Sequence, residues 1–180
     1  MPVADKYYAV LAGDIVKSGK LTYAELVQAR SVIAASLDRF DKKFPAQLIG
    51  KAEFYRGDSW EALLARPQYA MRLSLDVMAA LKAEMDVETR IAIGIGRLRH
   101  VDSSKVSYSL GEACDLSQSA IKNMRGAFNL SVAVAPHDAL ETRKIACLSS
   151  INANNEMAAD ALSAYEAINW AAVSNPVFRY

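Results

Sequence analysis

Apolar positions recur along the chain in two rhythms, one of strands and one of helices. Tyr7 to Val16 is apolar nearly throughout, the pattern of a central strand covered on both faces. After a short polar loop, Thr22-Tyr-Ala-Glu25 has the spacing of a capping box. Leu26, Ile33, Leu37 and Phe40 then recur at helical spacing, and Pro45 marks the end of that helix. Leu48 to Arg56 and Trp60 to Leu64 read as two strands around the turn Gly57-Asp58-Ser59, where Gly57 supplies a positive φ and Asp58 tolerates the tight bend. Arg66-Pro67 ends the hairpin. Gln68 to Met85 reads as a second helix with Leu73, Val77, Leu81 and Met85 on overlapping turns. Thr89 to Leu98 reads as a strand with Ile91, Ile93 and Ile95 on one face and Ala92, Gly94 and Gly96 on the other. That small-residue face admits a close neighbour, either a helix or a ligand.

Arg99 to Ser109 reads as a polar loop. A third helix is expected from about Glu112 to Met124, and a strand from Phe128 to Ala135, closed by Pro136. Asp138 to Ile151 and Glu156 to Ala172 read as helices parted by Asn152-Ala-Asn-Asn155. The order β-α-β-β-α-β, followed by α-β and terminal helices, describes a ferredoxin-like α/β (α+β) sheet with helices on one face. A single domain over residues 1–180 is expected, with the core at 7–135 and a helical extension at 138–180.

Composition changes this picture little. At 180 residues and 52% hydrophobic content the chain is long enough for one well-filled core. A net charge of +1 makes no case for a nucleic-acid partner or an acidic membrane surface. After Lys144 the only basic residue is Arg179, a poor nucleic-acid arm. No apolar run approaches the roughly 20 residues of a membrane span, and MPVADKYY lacks the pattern of a signal peptide. Cys114 and Cys147 lack metal-ligand spacing, so reduced thiols in the cytoplasm are the expectation. Cys114 reads as a small core residue, and Met71, Met78 and Met85 as core filler.

The chemistry concentrates in two Gly-Asp pairs. Gly13-Asp14 ends the first strand and Gly57-Asp58 forms the hairpin turn. Taken singly, Asp14 suits a loop or helix cap and Asp58 a turn. Taken together, two carboxylates on adjacent strands suit a divalent cation that also meets phosphate oxygens. Lys17 and Lys20 fit equally a phosphate site or a solvated surface. Arg56 fits a cross-strand pair or a triphosphate contact. Lys122 and Arg125 read as exposed residues near a helix C-terminus.

The strings AGDIVKSGKL, YRGDSWEALL, RIAIGIG and SLGEACDLSQSAI, in that order, resemble the SatD-like proteins and, through them, the class III nucleotidyl cyclase superfamily. The resemblance covers roughly residues 7–135. It implies a palm-like core in which Asp14, Asp58 and the main-chain carbonyl of Ile15 hold Mg²⁺ or Mn²⁺. It also implies that Val16, Lys17, Ser18 and Gly19 form a phosphate-contacting loop, that the ligand is a nucleotide and that two protomers form a homodimer. The sequence departs from the pattern where the family carries a transition-state Asn and Arg, for Asp115 and Ser119 stand there. Phe54 and Tyr108 stand at the base-reading places, as a packed aromatic pair or as a stack for a base. The metal half of the pattern is therefore present and the transition-state half is not. Two readings stay open: a nucleotidyl cyclase or transferase, or a catalytically degenerate nucleotide-binding, regulatory or dimerisation module.

Overall fold

A computed structural model describes residues 6–55, 57–124 and 129–135. The two expected terminal helices, Arg56 and Arg125 lie outside the described residues. Strand β1 (Tyr7–Ile15) leads through a 3-10 turn at Ser18–Lys20 into helix α1 (Tyr23–Lys43). The hairpin β2 (Leu48–Tyr55) and β3 (Ser59–Leu64) follows, then α2 (Ala70–Met85) and β4 (Thr89–His100). A two-residue strand β5 (Leu110–Gly111), helix α3 (Glu112–Asn123) and strand β6 (Leu130–Val134) complete the described order. The expected capping box is formed, with Thr22 Oγ1 accepting from the Glu25 N–H and the Glu25 carboxylate accepting from the Thr22 N–H.

The main sheet runs β2-β3-β1-β4, antiparallel throughout, with β6 added parallel to β4. This is the ferredoxin-like βαββαβ arrangement with one strand added. The hydrophobic alternation of β1 divides the core. Ala9, Leu11 and Ile15 pack with Ile33, Leu37 and Phe40 of α1 and Leu73, Val77 and Leu81 of α2. Tyr8 and Val10 face the other way, against Leu63, Leu98, Val106 and Ala113.

The expectation of helices on one face holds for α1 and α2 alone. Helix α3 takes the opposite face, on the small-residue side of β4. A Cβ at Gly94 would stand 2.1 Å from the Ala113 carbonyl oxygen and 2.5 Å from the Ser117 nitrogen. The glycine is thus required by a helix backbone lying against a strand. Other boundaries moved slightly. The polar stretch expected from Arg99 begins instead as the end of β4, which pairs with β5 at Leu98 and His100.

Candidate functional site

Cross-strand register assembles the site on the α3 face. Tyr55 lies opposite Ser59, Ser59 opposite Asp14, and Asp14 opposite Arg90, so four strands contribute one row of side chains. Because side chains alternate along a strand, the next row on this face is Glu53, Glu61, Ala12 and Ala92. Arg30 of α1 fixes the hairpin turn from the other side, donating from both Nε and Nη2 to the Gly57 carbonyl. Gly57 adopts the expected positive φ, 91°.

The Asp14 carboxylate is held by Arg90 in a two-pronged pair, Nε to Oδ1 at 2.9 Å and Nη2 to Oδ2 at 2.5 Å. The third prong, Nη1, donates to the Met124 carbonyl at the end of α3, 3.3 Å away. Hydrogen bonding to Asp14 raises the Arg90 pKa further, and the charges of Asp14 and Asp58 add to it. Asp14 is thus the carboxylate that holds the guanidinium, with Asp58 a more distant charge. Asp58 Oδ2 accepts from Ser18 Oγ at 2.5 Å, and the Asp58 carbonyl accepts from the Ile15 N–H at 3.1 Å. This ties the loop after β1 to the hairpin. Within that loop Lys17 is left-handed (φ 57°), and Lys17 and Gly19 are exposed. The Ile15 side chain is in the core.

Two cavities open beside this row. The smaller, about 310 Å³, is lined by Asp14, Arg90, Ser59, Tyr55, Gln118 and Lys122, among others. The larger, about 600 Å³, shares Tyr55, Gln118 and Lys122 and extends past Glu53, Glu61, Cys114 and Asp115 to Lys105 and Ser109. The two are neighbours, the smaller carrying Asp14, Arg90 and Lys122 and the larger the carboxyl pair Glu53 and Glu61.

Sequence reasoning missed that carboxyl pair. Glu61 is 5% exposed and lies opposite Glu53. Burial pushes its carboxyl above the usual range, against the hydrogen bond from Gln118, and the Glu53 charge pushes it further. Glu53 Oε1 is buried with no hydrogen-bond partner. Cys114 donates to the Ser109 carbonyl, and burial, with Glu61 and Asp115 nearby, pushes its thiol up to about 12. A thiol so raised stays protonated near neutral pH, and Cys114 packs against the second core cluster.

Of the two aromatic candidates, Phe54 packs against the α1-side core with the Arg30 guanidinium 6.0 Å from its ring centre, and it is also among the residues lining the larger cavity. Tyr108 is 57% exposed and carries Lys105, whose Nζ lies 2.8 Å from the phenol oxygen. Asp115 and Ser119 are exposed on α3, and Asp115 lines the larger cavity. Lys122, read as a surface residue, lines both cavities.

The donor set fits a metal only in part. Among the described residues no group of three or more His, Cys, Asp or Glu side chains is gathered as for a bound ion. Asp14 and Asp58 supply two carboxylates, enough for Mg²⁺ when phosphate oxygens and water complete the shell. Among the described residues no helix is long and apolar enough to cross a membrane.

No protein-family model and no curated protein matches the chain. Among solved structures it is similar to the catalytic core of a rhodopsin-guanylyl cyclase with converted specificity in complex with ATPalphaS, at 13% identity and a TM-score of 0.49, over 67% of this chain and 74% of that one. It is similar to an adenylate/guanylate cyclase/hydrolase from Silicibacter pomeroyi at 19% identity and a TM-score of 0.49, over 67% and 71% of the two chains. The guanylyl cyclase Cya2 gives 14% identity and a TM-score of 0.46, over 67% and 72%.

Proposed function

We propose that this chain is a cyclase-like domain that binds a nucleoside triphosphate together with Mg²⁺ or Mn²⁺. What supports the reading is the Asp14–Arg90 pair at the edge of one cavity beside a larger one with room for a base and sugar, with Asp58 tied by Ser18 to the loop after β1. Asp14 and Asp58 hold the cation, whose chemistry, when bound, is to draw charge from the phosphates. Lys122 faces the phosphates from α3, and the β1–α1 loop from Val16 to Gly19 closes the near side. The Glu53–Glu61 carboxyl pair faces the base.

A second reading, a site that binds without turnover, is favoured by Asp115. A carboxylate there repels developing phosphoryl charge, which a transition-state cation would stabilise. One assay separates the two. The protein is incubated with each of the four NTPs and Mn²⁺, while pyrophosphate release and thermal unfolding are followed in parallel. A rise in melting temperature with pyrophosphate release supports the enzyme, and a rise without release supports the binding module. No rise with any NTP, in protein shown to be folded, refutes both.

A further inference from the structure

Resting on the reading of Asp14 and Asp58 as a cation–phosphate site, we propose that Thr89 is a positioning residue. Its buried hydroxyl fixes the peptide plane between Asp14 and Ile15, and with it the spacing of the two carboxylates. Three observations meet at this hydroxyl. First, Thr89 Oγ1 lies 2.7 Å from the Asp14 carbonyl oxygen and 3.3 Å from that of Arg90, so its single proton goes to Asp14. Second, the N–H of the same peptide, on Ile15, donates to the Asp58 carbonyl at 3.1 Å. One peptide unit is therefore pinned at both ends, to β4 through Thr89 and to the hairpin through Asp58. Third, the hydroxyl is itself oriented, for it accepts from Trp60 Nε1 at 3.3 Å, and both residues are buried. Trp60 in turn needs Gly13, where a Cβ would overlap the indole ring.

The grip comes from the core side of the sheet. Thr89 pairs with Ile15, whose side chain is in the α1-side core, while Asp14 turns its carboxylate to Arg90. The carbonyl and the carboxylate of Asp14 hang from one Cα. A peptide plane free to rotate would therefore swing the carboxylate and change its distance to Asp58. A hydrogen bond made in the dry core meets no competition from water, and it holds the plane when a charged ligand pulls on the carboxylate. Thr89 itself touches no ligand. Indirect supports of this kind, behind side chains that hold a metal, are worth about tenfold or more in affinity.

The test uses the whole chain and two substitutions of one residue. Thr89→Val keeps the shape and removes the hydroxyl, and Thr89→Ser keeps the hydroxyl. Each folded protein is titrated by calorimetry with the four Mn²⁺–NTP complexes. Thr89→Val should bind about tenfold more weakly than wild type, and Thr89→Ser within about twofold of it. A merely structural hydroxyl predicts a lower melting temperature in Thr89→Val with unchanged affinity, and that result overturns the proposal while the binding reading stands. Equal weakening in both variants overturns it too, for the hydroxyl is then not what matters. Should Thr89→Val not fold, a spectroscopic signature of the wild type decides. The Trp60 indole N–H proton resonance, assigned against Trp170→Phe, should shift when the Mg²⁺ complex of the NTP that binds saturates the site, and a resonance that stays in place overturns the proposal. If wild type binds none of the four complexes, the binding reading falls and the proposal with it.

Discussion

Glu61→Gln should stabilise this protein, and by an amount that depends on pH. Glu61 is 5% exposed, faces Glu53 across the β2–β3 ladder and has Gln118 as hydrogen-bond partner. Burial and the neighbouring carboxylate raise its folded-state pKa above the ordinary glutamate value of 4.5, which stands for the unfolded chain. A raised carboxyl pKa means that the folded state binds more protons than the unfolded one. Stability is therefore greatest near and below the unfolded value and declines as pH rises toward the folded pKa. Above that pKa the wild type carries a desolvated, incompletely partnered carboxylate at a cost of about 1–3 kcal/mol. Glutamine keeps the shape and a hydrogen bond to Gln118 without the charge. The expected gain at pH 8 is a rise in melting temperature of about 3–8 °C, shrinking toward zero as pH falls to 4.5. Calorimetric scans of both proteins from pH 4.5 to 8 measure it. A difference that is constant with pH, or a variant less stable than wild type at pH 8, would refute the reasoning.

Gly94→Ala tests the packing that shapes the cleft. Its Cβ would lie 2.1 Å from the Ala113 carbonyl oxygen, so α3 must retreat, and overpacking of this kind costs about 1–3 kcal/mol. Thermal unfolding should show the loss, with weaker nucleotide binding because Gln118 and Lys122 move with the helix. Thr22→Ala removes the capping box and should lower stability by about 1 kcal/mol while leaving ligand affinity unchanged, as checked by unfolding and calorimetry together. With its thiol pushed up to about 12, Cys114 should react with iodoacetamide at pH 8 far more slowly than an exposed cysteine peptide, as read by mass spectrometry of the labelled peptides.

The fold was largely legible because its signals are local. Strand β1 is apolar on both faces, α1 and α2 carry helical periodicity, and Gly57 marks the turn that it makes. The small residues of β4 announced a close neighbour, and α3 fills that place. Periodicity could not say which face α3 would take, since that depends on the crossover from β4 to β6. The site was half legible. Asp14 and Asp58 stand out as Gly-Asp pairs, and cross-strand register brings them to one end of the sheet. Arg90 escaped notice because its partner is 76 residues away and its place at the head of a strand carries no local signature. Glu61 hid in SWEALL, which looks like ordinary alternation. The signal was there in the strand period, for Glu53, Tyr55 and Glu61 share a face with Ser59 and Asp14. The same period places Phe54 on the α1 side, where it packs against the core.

A crystal soaked with Mn²⁺ and a non-hydrolysable NTP would test the central claim most directly. The account predicts an anomalous peak between the carboxylates of Asp14 and Asp58, within coordination distance of both and of a phosphate oxygen. A well-ordered nucleotide elsewhere on the molecule, or one in the cleft with no manganese between those two side chains, would contradict it.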